Sequence, residues 1–139
     1  MTTTSPVGAE QVERNRALVR TWLDAYCTFD PAQYEHLLVE NPYYRVAHSE
    51  HQGREGYAEV ARVARFLYPN GMRAEIEHIV VEGNDIAARI TVTAVTNKGE
   101  DYFNYYALHL EVTDDGRIAK QFEYPDTAYA QTKFSFEGL

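Results

Sequence analysis

The sequence predicts an α+β domain in which three helices precede a curved, mostly antiparallel sheet. Three observations predict it. Helical periodicity dominates the first half of the chain. Four strand-like runs fill most of the second half: "MRAEIEHIVVE", "DIAARITVTAV", "EDYFNYYALHLEVT" and "RIAKQFEY". The connections between those runs, "GN", "NKG" and "DG", are tight-turn signals with glycine available for positive φ, so the four strands form a meander. A sheet of this kind buries its better face under the helices. Where it curves, it leaves a cone-shaped space beneath the long first helix.

Taken in order, residues 1–9 ("MTTTSPVGA") read as a flexible tail and 10–139 as one domain. The tail lacks the basic flank and apolar stretch of a secretory leader. From Glu10 to Cys27, Val12, Leu18, Val19, Trp22, Leu23 and Tyr26 recur at helical spacing. Asp30 and Pro31 pair an N-cap with an N1 proline, predicting a short second helix to about Leu38. "NPYYRVAH" reads as a strand opened by a turn. Gly53 precedes a third helix whose Tyr57, Val60, Ala61, Ala64 and Leu67 share a face, and "YPNG" stops it.

Composition narrows the function. A chain of 139 residues with 45% hydrophobic and 24% charged residues is an ordinary globular domain, able to bury a core without disulfides. The formal net charge of −8 argues against nucleic acid and against an anionic membrane surface, since both need clustered Lys and Arg. No apolar run reaches the length of a membrane-spanning helix. The single cysteine, Cys27, excludes an intrachain disulfide, suits a cytoplasmic protein and reads as a packed thiol. Eleven tyrosines and six phenylalanines supply core, interface or the wall of an aromatic cavity.

Strand alternation sorts the polar candidates. Ala87, Arg89, Thr91 and Thr93 share one face, against Ala88, Ile90 and Val92. Tyr43 and Arg45 separate from Tyr44, Val46 and His48. Near the end, Phe122, Tyr124 and Asp126 oppose Gln121 and Glu123, unless Pro125 sits at a bulge that shifts the parity. Which face of each strand meets the helices stays open on alternation alone. Asp126 before "TAYAQ" also reads as a helix N-cap. His48 and His51 have an H-x-x-H spacing without a third ligand, so no metal is expected. His48 is a candidate at a pocket rim, whereas His36, His78 and His109 read as surface or interface.

The element order, together with these motifs, resembles the SnoaL-like members of the nuclear transport factor 2-like superfamily. These include ketosteroid isomerase, polyketide cyclases, limonene epoxide hydrolase and phenazine-biosynthesis proteins. The resemblance implies a cystatin-like α+β cone. Against the epoxide hydrolase pattern, "YYRVAH" sets Tyr43 on a site tyrosine and Arg45 on an asparagine. "ARITV" sets Arg89 on an arginine and Thr91 on an aspartate, and "EYPD" sets Asp126 on the closing aspartate. Thr91 lacks the carboxylate that protonates the epoxide oxygen, which argues against epoxide hydrolysis. Against the phenazine pattern, "NRALV", "GRE", "YFN" and "DGRI" match in order and set Glu123 on the closing glutamate. Val60 stands near the position of a site histidine.

These resemblances imply a cofactor-independent acid/base enzyme acting on a small cyclic or polyketide-like carbonyl compound by isomerisation, cyclisation or dehydration. Asp126 or Glu123 would be the base or acid, with Arg89 and Tyr43 holding an oxygen anion. Arg45, Trp22, Tyr26, Thr91, Tyr105 and His48 would contact the substrate. A non-catalytic binding or dimerisation module of the same fold is the alternative. Aromatics on both sheet faces predict a homodimer.

Overall fold

The structure, a computed structural model, describes residues 6–139. Of the tail expected at 1–9, residues 1–5 lie outside the described residues and 6–9 belong to a helix. The first helix, α1 (Pro6–Tyr26), starts four residues before the expected Glu10. Its Leu18, Val19, Trp22, Leu23 and Tyr26 are buried, as the periodicity demands. Asn15, from "NRALV", is fully buried and donates from Nδ2 to the carbonyl of Gly83 at 2.7 Å, tying α1 to a hairpin turn far along the chain.

Asp30 caps α2 (Pro31–Tyr34) by accepting from the amide of Ala32. A 3₁₀ turn over Glu35–Leu37 follows, so the second helix is shorter than expected. Strand β1 (Leu38–Val46) then begins three residues before "NPYYRVAH". A strand missing from the sequence reading, β2 (Ser49–Gln52), pairs antiparallel with β1. Its "SEHQ" carries no alternating apolar pattern and lies at an edge. Helix α3 (Gly53–Leu67) buries Tyr57, Ala61 and Ala64. Gly71 ends the link out of α3 at φ +74°, where an added Cβ would stand 3.0 Å from the carbonyl oxygen of Cys27.

The meander follows as β3 (Met72–Glu82), β4 (Asp85–Val95), β5 (Asp101–Val112) and β6 (Ile118–Pro125). Helix α4 (Thr127–Gln131) closes the fold. The strands form one curved six-stranded sheet in the order β2-β1-β6-β5-β4-β3. Every neighbouring pair is antiparallel except β1 with β6. Cross-strand partners carry each face through the sheet. Ala88 stands opposite Leu108, Leu108 opposite Glu123, and Glu123 opposite Val46. The inner face of β4 is therefore Ile86, Ala88, Ile90 and Val92, all buried under the helices. Among the described residues, no helix is long and apolar enough to cross a membrane.

Candidate active site

A cavity of about 430 Å³ opens between α3, the end of α1, the sheet and the C-terminal segment. This volume is at the small end of ligand pockets. Tyr26 and Phe29 line it from α1 and the turn after it, and Tyr44 and Val46 from β1. Val60, Val63, Leu67 and Tyr68 come from α3 and its end. Tyr102 and Tyr106 come from β5, and Glu123 and Pro125 from β6. Thr127, Ala130, Phe134 and Phe136 cover the remaining side, with Ser49, His51 and Glu59 also in the lining.

Glu123 is the carboxylate buried in this wall, only 6% exposed. Burial pushes its carboxyl up to about 7, against partial relief from bonds to the Tyr44 hydroxyl and the Gln121 amide. Gln121 donates from Nε2 to Glu123 Oε1 at 2.7 Å and accepts on its own Oε1 from the Tyr57 hydroxyl at 2.8 Å. The Tyr44 hydroxyl also bonds that of Tyr26. The carboxylate is thus oriented by a buried chain reaching α1, α3 and β1. Burial first, and the Glu123 charge second, push Tyr26, Tyr44 and Tyr57 well above the ordinary phenol range. They stay protonated donors.

A second polar group stands on β5. Tyr102 and Tyr106 bring their hydroxyls to 3.0 Å, and Asn104 donates from Nδ2 to the Tyr102 oxygen at 2.8 Å. Tyr68 packs edge-on against the Tyr102 ring at 5.3 Å, and burial raises its phenol strongly. With its oxygen accepting from Asn104, the Tyr102 hydroxyl can turn its proton to Tyr106 or to an acceptor in the cavity. Tyr102, Asn104 and Tyr106 share the inner face because they pair with Ala94, Val92 and Ile90.

Several expected site residues are elsewhere. Arg89 points away from the helices, is 64% exposed in its side chain and pairs with Glu77 at 3.1 Å. The apolar side of β4 takes the inner face, so its polar side must face out, carrying Thr91 with it between Glu75 and Tyr105. Tyr105 is 59% exposed. Tyr43 donates to Glu50 at 2.8 Å, and Arg45 lies over the Phe122 ring at 4.9 Å while donating to the Tyr124 hydroxyl at 2.6 Å. This outer polar and aromatic layer is the opposite side of the sheet from the cavity. Asp126 is exposed and its Oδ1 accepts from the amide of Tyr129 at 3.1 Å, so its side chain caps α4. Pro125 does not shift the parity: Glu123 points in, Tyr124 out, and the chain turns away after Pro125. Of the two candidate acids, Asp126 is therefore placed outside the cavity. Trp22 is fully buried behind the wall, stacked on Tyr26 at 5.2 Å, and His48 is exposed in the β1–β2 turn.

Of the residues singled out from sequence, Glu123 and Tyr26 meet in the cavity. Tyr44, Tyr68, Tyr102, Tyr106, Gln121 and Asn104 were missed as site residues. The signal lay in the strand pairs: once β4 buries its apolar side, antiparallel register assigns the inward residues of β5 and β6. Among the described residues, no three His, Cys, Asp or Glu side chains converge in a way that could hold a metal.

The sequence profile of the SnoaL-like domain family matches residues 19–121. No curated protein matches the sequence. Solved structures share the fold at low identity. A protein of Jannaschia sp. CCS1, described provisionally as a SnoaL-like polyketide cyclase, is 14% identical with TM-score 0.77, over 96% of each chain. PrhC of Penicillium brasilianum NBRC 6234 is 20% identical with TM-score 0.78, over 88% of this chain and 86% of its own. An LEH-like epoxide hydrolase of M. tuberculosis is 20% identical with TM-score 0.71, over 88% of this chain and 90% of its own.

Proposed function

The chain belongs to the SnoaL-like domain family, and from that premise we propose that it is a cofactor-independent acid/base enzyme for a small cyclic or polyketide-like carbonyl compound. The observation that carries this reading is a single buried carboxylate, Glu123, held near neutral pKa in an aromatic cavity with phenol donors. A base with that pKa is half ionised at working pH and accepts a proton without being a strong ligand for water. Glu123 would take the proton from the carbon beside the carbonyl. The electron pair moves into the C=O, and the resulting enolate oxygen accepts hydrogen bonds from the Tyr102 and Tyr106 hydroxyls. Returning the proton to another carbon gives isomerisation. Attack of the enolate carbon on a second carbonyl gives cyclisation, and expulsion of a β-hydroxyl gives dehydration. Among the described residues, Glu123 is the one buried carboxylate in the cavity lining and no arginine lines it, so the two-acid arrangement of epoxide hydrolysis finds no support in these residues.

The first step is testable without knowing the product. Cyclic ketones and 1,3-diketones are incubated in D₂O with the protein, and loss of the α-proton signal is followed by NMR. Wild type should accelerate exchange, and Glu123→Gln should reduce that acceleration by about 10²–10⁴-fold. Equal exchange by both proteins across the panel rules out the catalytic reading.

A second reading, a non-catalytic or dimer-forming module, draws support from the other side of the sheet. There Phe103, Tyr105 and Tyr124 are each roughly half exposed, an aromatic surface suited to a second copy of the chain. Homodimerisation through that face is compatible with either reading of the cavity.

A further inference from the structure

Glu123 has no positive partner. The groups that feel its charge are Tyr26 from α1, Cys27 just after it, Tyr44 from β1, Tyr57 and Tyr68 from α3 and its end, and Tyr106 from β5. All are acids that burial holds protonated and neutral. Among the described residues, no Lys or Arg lines the cavity. A buried carboxylate is ordinarily paired or neutralised; this one is oriented by Gln121 and Tyr44 but left without a counter-charge.

The wall beside it is a continuous arc of rings. Tyr44 lies 6.0 Å from Tyr26, Tyr26 6.0 Å from Phe29, Phe29 5.7 Å from Tyr68, and Tyr68 5.1 Å from Phe134. Aromatic walls attract organic cations, whose weak hydration makes burial inexpensive, and a nearby carboxylate adds the direct charge. The net charge of −8 favours the approach of cations over anions. From these features we infer that the cavity binds small organic ammonium ions, with Glu123 as counter-ion and the ring arc as wall. The inference stands apart from the catalytic reading, since an enzyme and a pure binding module would both show it. In the enzyme such ions would compete with the carbonyl substrate.

The test compares choline with 3,3-dimethylbutan-1-ol, its neutral isostere with carbon in place of nitrogen, by calorimetric titration of the full chain at pH 8. Choline should bind at least about tenfold more tightly, and Glu123→Gln should bring the two affinities together. Binding of the neutral isostere by the variant reports that its cavity is intact. A separate wild-type measurement needs no variant: protonating a carboxyl held at about 7 should weaken choline by about 30-fold between pH 8 and pH 5.5 and leave the isostere unchanged. His51 and Glu59 also line the cavity; His51→Gln should keep this pH dependence. Equal wild-type affinities, a choline preference that survives in Glu123→Gln, or no choline binding overturns the inference.

Discussion

Replacing Glu123 with glutamine should change how stability depends on pH, whatever the substrate. The folded carboxyl sits at about 7 against an ordinary 4.5, so the native state holds a proton that the unfolded chain has already lost. A folded pKa raised in an acid means stability is fullest below 4.5 and declines as pH rises through 7. For this one group the decline between pH 5 and pH 8 integrates to about 2.5 kcal/mol, a large share of a domain's margin. Glutamine keeps the shape and carries no titrating proton. Its variant should therefore be close to wild type at pH 5 and more stable by about 2–3 kcal/mol at pH 8. Urea denaturation at both pH values, with equal slopes, measures the difference. A wild-type-minus-variant gap that stays constant between pH 5 and pH 8 would refute the burial argument and, with it, the neutral-range base.

Other outcomes follow from the same geometry. Tyr102→Phe should slow deuterium exchange by about 10²-fold by removing an enolate donor, whereas Tyr105→Phe, on the exposed face, should leave it unchanged; the paired rates separate the two sides of the sheet. Tyr57→Phe strands the buried Gln121 carbonyl and should lower stability by about 1–3 kcal/mol in urea titration. If the outer face pairs two copies, wild type should sediment as a dimer at micromolar concentration, and Tyr105→Glu combined with Phe103→Glu should convert it to monomer.

Asp126 illustrates how far the sequence could be read. "DTAYA" reads as a helix cap and the resemblance of "EYPD" implies a site acid; the structure realises the cap. Alternation opposes Glu123 to Tyr124, as the structure has it, but leaves open which side meets the helices. The residues that the resemblance implies, Arg89, Thr91, Tyr43, Arg45 and Tyr105, all sit on one continuous outer layer. Polar residues drew attention as candidate chemistry, yet the strand buries whichever side is apolar, and the hydrophobic term outweighs any single polar residue's preference.

What the sequence determined by itself was local: helical and strand periodicities, the Asp30–Pro31 helix start, glycine-bearing turns and the inability to form an intrachain disulfide. These depend on neighbours a few residues apart, so they are legible along the chain. The tertiary structure decided which side of the sheet the helices cover, that "SEHQ" adds an edge strand, and that Glu123 is left without a counter-charge. Its raised pKa arises from burial in a wall assembled out of α1, α3, β1 and β5, against which the bonds from Tyr44 and Gln121 give only partial relief. Desolvation is a property of everything within a few ångströms in space, and no stretch of sequence contains that neighbourhood.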